Sequence, residues 1–162
     1  MKNLKVSLPC PKGKVLVPPS KSISHRALIC AGLAKGKSIL QNVAFSDDIS
    51  ATEKGMMTFG AKIEYIGNYI NDKANNIAVA GIKTESIKDG LVIDCKESGS
   101  TLRFLIPIAL AFGKQVTFTG SKRLFQRPLD VFYKIFQRQG ISYAVEKDKP
   151  SLTVLGKLMP DT

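Results

Sequence analysis

Pro18-Pro19-Ser20-Lys21-Ser22-Ile23-Ser24-His25-Arg26 is the stretch around which the chain is read. The two prolines stop the strand-like run Val15-Leu16-Val17, because proline fixes φ and removes a backbone donor. Ser20 then caps a helix expected over residues 21–35, which Gly36 ends. A helix start offers free N–H groups and a partial positive charge. Lys21 and Ser22 lie in its first turn, and Arg26 follows Ser22 by four residues, so the two share a face. Two cations, a hydroxyl and open amides converge there, which makes an anion site for a phosphate or a carboxylate. A capped helix with solvated charges is the plain alternative, and the hexapeptide alone does not choose between them.

Working outward, a strand is expected at 38–43. A second helix starts at Ser46 with Asp47 and Asp48 in its first turn, where acids suit the dipole, and closes at Gly60. Strands follow at 62–66 and 77–81, around a turn-rich stretch at 67–76. The order then repeats. A strand is expected at 91–94, and a helix runs from Ser98-Gly99-Ser100-Thr101 to about residue 112, with a kink at Pro107 and a stop at Gly113. A strand at 115–119 leads to a helix opened by Arg127-Pro128 and ended near Gly140. Strands at 141–145 and 152–155 complete the unit.

The pattern βαβαββ therefore occurs twice, with Arg26 matching Arg103 on the second turn of each first helix. The offset, about 75 to 80 residues, exceeds a solenoid period. The expected fold is α/β (α+β), a duplicated subdomain with units at 15–82 and 83–157. Residues 1–14 form an N-terminal segment with strand-like alternation at 4–8, and 158–162 form a short tail.

Glu97-Ser98-Gly99-Ser100-Thr101-Leu102-Arg103 repeats the logic of the first helix start. Gly99 lets a small anion approach the backbone, Ser100 and Thr101 bring hydroxyls, and Arg103 either orients the anion or supports the loop. A third basic element is Ser121-Lys122-Arg123-Leu124-Phe125-Gln126-Arg127-Pro128. Arg127 is the binding candidate there, since arginine suits bidentate capture of carboxylate or phosphate; Lys122 and Arg123 read as a solvated loop.

Composition agrees with small anionic ligands. The chain has 162 residues, 44% hydrophobic and 23% charged, with a net charge of +11. That balance favours acidic partners, but no run of five or more Lys/Arg and no aromatic platform points to specific nucleic-acid binding. The spacing of Cys10, Cys30 and Cys95, beside a single histidine, fits no metal site. The cysteines read as reduced thiols, and a cytoplasmic setting is expected. The longest apolar run, 104–112, is far short of the roughly 18 residues of a membrane span.

Three signals stand in order: Pro-Ser-Lys-Ser-Ile-Ser-His-Arg-Ala from Pro19, Glu-Ser-Gly-Ser-Thr-Leu-Arg from Glu97, and Gln-Arg-Pro-Leu from Gln126. Together they resemble the enolpyruvylshikimate-phosphate synthase family of the shikimate pathway, over almost the whole chain beyond residue 14. The resemblance implies an inside-out α/β barrel built from βαβαββ units. It implies transfer of the enolpyruvyl group of phosphoenolpyruvate to shikimate 3-phosphate, with release of phosphate and no metal or organic cofactor. By resemblance, Lys21 touches both substrates and stabilises charge, Ser22 and Arg26 bind shikimate 3-phosphate, and Gly99 and Arg127 belong to the phosphoenolpyruvate pocket. Ser100, Thr101 and Arg103 are further candidates.

Departures from the family pattern are Glu97 and Ser100, where Asn and Thr are frequent, and His25, where Asn is frequent and a structural role is expected. Glu97 puts phosphoenolpyruvate and glyphosate affinity in question. The chain is also shorter than the family enzyme. The third unit, the second domain and the acid/base carboxylate are expected to be missing, and Asp47-Asp48 reads as a helix-start feature. The chain alone is therefore expected to carry substrate-contacting residues without turnover, and its open apolar faces favour self-association. The related UDP-N-acetylglucosamine enolpyruvyl transferases carry Lys-Asn at the first motif, against Lys21-Ser22 here. A non-catalytic anion-binding or nucleic-acid-binding domain is the other alternative, resting on charge alone.

Overall fold

In the computed structural model, which describes residues 13–14, 17–66, 74–146 and 148–160, helix α1 (Lys21–Leu33) begins where the proline pair ends. The Ser20 hydroxyl accepts from the Ile23 N–H at 3.3 Å. Ala34 turns extended and gives its N–H to the Cys30 carbonyl, so the helix stops ahead of Gly36. Of the strand expected at 15–17, Val15 and Leu16 lie outside the described residues, and Val17 is not in a strand. The alternation at 4–8 and the turns at 67–73 also lie outside them.

The first sheet holds β1 (Lys37–Ala44), β2 (Lys62–Tyr65) and β3 (Ala74–Ala80) in the antiparallel order β1-β3-β2. Residues 74–76, expected in a turn, extend β3 instead. Ala74 and Asn75 pair with Ala44 and Val43 past a β1 bulge between Leu40 and Val43, where Asn42 takes φ 56° and its N–H goes to Asn76 Oδ1 at 3.0 Å. Asparagine is one of the few residues that tolerate that conformation. Helix α2 (Asp47–Thr58) joins β1 to β2, capped by Ser46 as its sequence predicts.

The second sheet holds β4 (Leu91–Asp94), β5 (Val116–Thr119), β6 (Ser142–Glu146) and β7 (Ser151–Leu155) in the order β4-β5-β7-β6. β4 and β5 are parallel, so a crossover must join them. That crossover is α3 (Gly99–Phe112), capped by Ser98, closed by left-handed Gly113 and continuous through Pro107. The order β5-β7-β6 repeats β1-β3-β2. These are mixed α/β layers, and no closed barrel forms among the described residues.

One expectation is corrected between β5 and β6. No helix opens at Arg127-Pro128. Ser121 caps a short helix, α4 (Lys122–Phe125), by accepting from the Leu124 N–H at 3.2 Å. The Arg127 N–H closes that turn on the Leu124 carbonyl, and α5 (Asp130–Gln139) starts only after Leu129. Lys122 and Arg123, expected in a solvated loop, thus lie in a helix, and the expected start at Pro128 falls in the turn between α4 and α5.

A single core runs through both sheets, and α2 is the joint. It packs on α1 and β2 on one side and on α3 and β4 on the other. Gly32 lets Met56 close on α1, and Gly55 lets Leu105 and Ile93 close on α2. Ile93, Phe118, Leu152 and Val154 point to the helices and are buried, each contributing about 1.5–3 kcal/mol by leaving water. No described helix is long and apolar enough to cross a membrane.

Glu53 is a charged exception on α2. It is 8% exposed and accepts the Tyr65 hydroxyl at 2.7 Å. Burial pushes its carboxyl up from 4.5, only partly offset by that bond. The native state therefore favours the protonated form, and that contribution, complete below the unfolded pKa, is lost as pH rises through the folded one. Glu53→Gln keeps an acceptor for Tyr65 and removes the charge. Its melting temperature relative to the unsubstituted chain is expected to be more favourable at pH 7.5 than at pH 4. Parallel thermal melts check this, and an equal difference at both pH values refutes it.

Candidate active site

The starts of α1, α2 and α3 meet at one end of the molecule. Ser24 ties α1 to β1, donating to the Ser20 carbonyl at 3.0 Å and accepting the Ala44 N–H at 2.9 Å. The Lys21 ammonium donates to Asp48 in the first turn of α2 at 2.6 Å. Across from them, the loop before α3 is held against the loop after β5. The Ser121 N–H goes to the Lys96 carbonyl at 2.8 Å, and the Cys95 N–H to the Thr119 carbonyl at 2.8 Å. This lacing carries Arg127 to the start of α3.

Between these elements lies a cleft of about 430 Å³. Lys21, Gly99, Ser100, Arg103 and Arg127 line it, together with Asp48, Glu97 and Phe104. Three motifs far apart in sequence therefore face one space. The first amides of α3, at Gly99 and Ser100, have no carbonyl of their own helix to bond, as at any helix start. A side-chain carbon on Gly99 would come within 2.6 Å of Arg127 Nη1 and 2.8 Å of Arg103 Nη1. Glycine is thus what lets two guanidinium groups close over a helix start.

Arg103 does both things its position allowed. It lines the cleft, and it is fixed to the Gly99 carbonyl at 3.4 Å and the Pro128 carbonyl at 3.0 Å. The Arg127 side chain has no hydrogen bond or ion pair among the described residues, which leaves its fork free for a ligand. Ser22 and Arg26 flank the cleft without lining it. Arg26 donates to the Ser22 carbonyl at 3.0 Å and lies 5.4 Å from the ring centre of Phe104, a cleft residue. Thr101 corrects its expected role. It is fully buried, and its hydroxyl turns inward to Ser98 and Thr52, so it offers no hydroxyl to the cleft.

Sequence reasoning missed Asp48 and Phe104. Phe104 follows Arg103 and carries no local signal of a site. Asp48 was legible as a helix-start acid, but its pairing with Lys21 spans 27 residues. His25 is wholly buried, as its structural reading implied. Burial, and after it the Lys21 and Arg26 charges, hold its imidazole below 6.5 against the pull of Asp48, so the ring is neutral at pH 7.

Glu97 lines the cleft without an ion pair among the described residues. Its charge opposes an anionic ligand. Glu97→Gln is expected to tighten binding of inorganic phosphate by about 1 kcal/mol, roughly fivefold at low salt, and by less at high salt. Calorimetric titration at two salt concentrations checks both the sign and the screening.

The family model described as EPSP synthase (3-phosphoshikimate 1-carboxyvinyltransferase) matches residues 11–159. The 3-phosphoshikimate 1-carboxyvinyltransferase of Clostridium novyi is 47% identical over 161 residues, covering 99% of this chain and 37% of that protein. The Clostridioides difficile protein of the same name is 44% identical over 158 residues, covering 92% and 35%. Among solved structures, EPSP synthase from Acinetobacter baumannii superposes with a TM-score of 0.73 at 24% identity, over 89% of this chain and 32% of that one. The chain thus spans about a third of the length of the relatives it matches.

Proposed function

Because the chain belongs to the EPSP synthase (3-phosphoshikimate 1-carboxyvinyltransferase) family, we propose that it forms the part of such an enzyme that holds phosphoenolpyruvate and shikimate 3-phosphate for enolpyruvyl transfer. In that reaction a shikimate 3-phosphate hydroxyl adds to C2 of phosphoenolpyruvate while C3 takes a proton. Elimination then returns a proton from C3 and releases phosphate. The observation that carries the reading is the meeting of Lys21, Gly99 and Arg127, from three separate motifs, on one cleft.

Each group has a role suited to its place. Lys21 lies between the two substrates and offsets their charge, where fixed charges act strongly. Arg127, over Gly99, takes the phosphoenolpyruvate anion. Ser22 and Arg26, beside the cleft, take shikimate 3-phosphate. No cofactor is assigned. The two units, 15–82 and 83–157, are read as two copies of the family's βαβαββ unit, which the shared order of β1-β3-β2 and β5-β7-β6 supports. The free thiols of Cys30 and Cys95 suit a cytoplasmic setting.

This reading predicts binding without turnover. The 162-residue chain should bind shikimate 3-phosphate measurably by calorimetry, and Arg127→Ala should weaken phosphoenolpyruvate binding more than shikimate 3-phosphate binding. It should release no phosphate above background from the two substrates together, because no general acid or base is assigned among its cleft residues. Absence of binding would overturn the substrate assignment; steady-state turnover would overturn the division of labour with the rest of a longer enzyme.

A further inference from the structure

Beneath the cleft runs a chain of buried polar groups that the substrate roles leave unused. His25 Nδ1 lies 2.7 Å from Thr52 Oγ1, which lies 2.7 Å from Thr101 Oγ1, which lies 2.7 Å from Ser98 Oγ. His25, Thr52 and Thr101 are 0% exposed and Ser98 is 2% exposed. Both threonine hydroxyls also reach the Asp48 carbonyl, at 3.3 Å each. The chain passes from α1, through α2, into the cap of α3.

The chain and the Asp48 carbonyl it reaches adjoin groups in or beside the cleft. His25 precedes Arg26. Asp48 carries the carboxylate that holds Lys21. Ser98 and Thr101 bracket Gly99 and Ser100. None of the four chain residues lines the cleft itself, so whatever they do there, they do through others.

Proton counting gives the chain a direction. His25 Nε2 is buried with no hydrogen-bond partner among the described residues. An orphaned buried N–H is rarer than an orphaned acceptor, so the ring proton belongs on Nδ1, donating to Thr52. Each hydroxyl has one proton and two lone pairs. Thr52 passes its proton on towards Thr101 or the Asp48 carbonyl. Thr101 gives its own to Ser98, which also accepts the Thr101 N–H at 3.1 Å. Packing alone gives no reason for this set, since burying hydroxyls is costly and valine has the shape of threonine. Hydrogen bonds joined without a break from His25 Nδ1 to Ser98 Oγ instead fix geometry.

We propose that the His25–Thr52–Thr101–Ser98 chain is a positioning device, setting the separation of the α1 and α3 starts and so the spacing of the Lys21 and Gly99 sides of the cleft. This rests on reading the cleft as the substrate site.

The test uses Thr52→Val, which keeps the shape and removes the middle hydroxyl, and Thr52→Ser, which restores it. In ¹H–¹⁵N spectra of the 162-residue chain at pH 7, Thr52→Val is expected to move the amides of Lys21, Ser22, Gly99 and Ser100. It should also weaken shikimate 3-phosphate binding at least fivefold, well below the melting temperature; Thr52→Ser should recover both. A lowered melting temperature with unchanged affinity and unchanged Gly99 and Ser100 amides would overturn the proposal. If the unsubstituted chain does not bind shikimate 3-phosphate, the substrate reading falls, and the amide pattern decides the positioning role alone: shifts confined to residues touching Thr52 reject it. Should Thr52→Val not fold, the unsubstituted chain is read directly. Exchange-protected Thr52 and Thr101 hydroxyl protons and an Nδ1-protonated neutral His25 support the chain, and fast-exchanging hydroxyls or the other tautomer overturn it.

Discussion

Lys21→Ala is expected to weaken shikimate 3-phosphate binding by about tenfold to a hundredfold. Two effects act in the same direction. The substitution removes a donor to an anion, and hydrogen bonds to charged groups contribute about 1.5–3 kcal/mol. It also frees the Asp48 carboxylate, which Lys21 holds at 2.6 Å on the wall of the same cleft. A substrate phosphate then meets a bare negative charge where it met a neutralised one. Asp48→Asn on top of Lys21→Ala should therefore recover part of the loss, a non-additivity expected of groups in contact. Folding stability should barely change, because the pair is 54% and 31% exposed and exposed ion pairs contribute little. Calorimetric titration beside a thermal melt separates the two outcomes. An affinity within a factor of two of the unsubstituted chain would remove Lys21 from the site.

Gly81→Ala is the substitution expected to cost the most stability. Gly81 follows β3 and lies against the end of α1. Its N–H goes to the Gly36 carbonyl at 2.9 Å, and the next N–H, of Ile82, goes to the Gly32 carbonyl at 2.8 Å. A side-chain carbon there would run into the backbone carbonyl of Ala34. Backbone cannot rotate aside as a long side chain can, so β3 and α1 must separate, and both hydrogen bonds are strained or lost. Overpacking at about 1–3 kcal/mol, with two hydrogen bonds at about 1 kcal/mol each, suggests a loss of roughly 3–5 kcal/mol. That corresponds to a fall of about 6–20 °C in melting temperature for a domain of this size. The cleft is built elsewhere, so ligand affinity of the folded fraction should hold. A melting temperature within about 2 °C of the unsubstituted chain, the shift expected for under 1 kcal/mol, contradicts the backbone contact.

Glycines show how far local reading reaches. Gly113 and Gly140 end helices in the left-handed conformation, as their places in the pattern predicted. Gly81 was legible only as the end of a strand; that it sits on a carbonyl of α1 depends on a contact 47 positions away, between β3 and α1. Gly99 shows the same division. Its place at a helix start and its freedom from a side chain could be read directly. Which groups use the space, Arg103 and Arg127, could not.

The caps behaved as sequence features. Ser20, Ser46 and Ser98 each accept from the N–H three residues on, because a cap closes on its own chain and needs nothing remote. Arg127 is instructive for the opposite reason. Its expected place at the start of a helix was wrong, and α4 and a turn stand there instead. Its side chain nonetheless lines the cleft, since the turn brings it beside Gly99.

By itself, then, the sequence determined the capped starts of α1, α2 and α3, the glycine stops after α3 and α5, the strands from β1 onward to within a few residues, and the three basic motifs. These rest on interactions within a turn or two of the chain, where residue type and spacing are sufficient. The tertiary structure alone decided that Asp48 holds Lys21, that Thr101 faces inward to Thr52 rather than outward to a ligand, and that Phe104 and Arg127 close the cleft. Those outcomes depend on how each helix is rotated about its axis when it packs, which is set by the whole buried surface and not by any neighbouring residues.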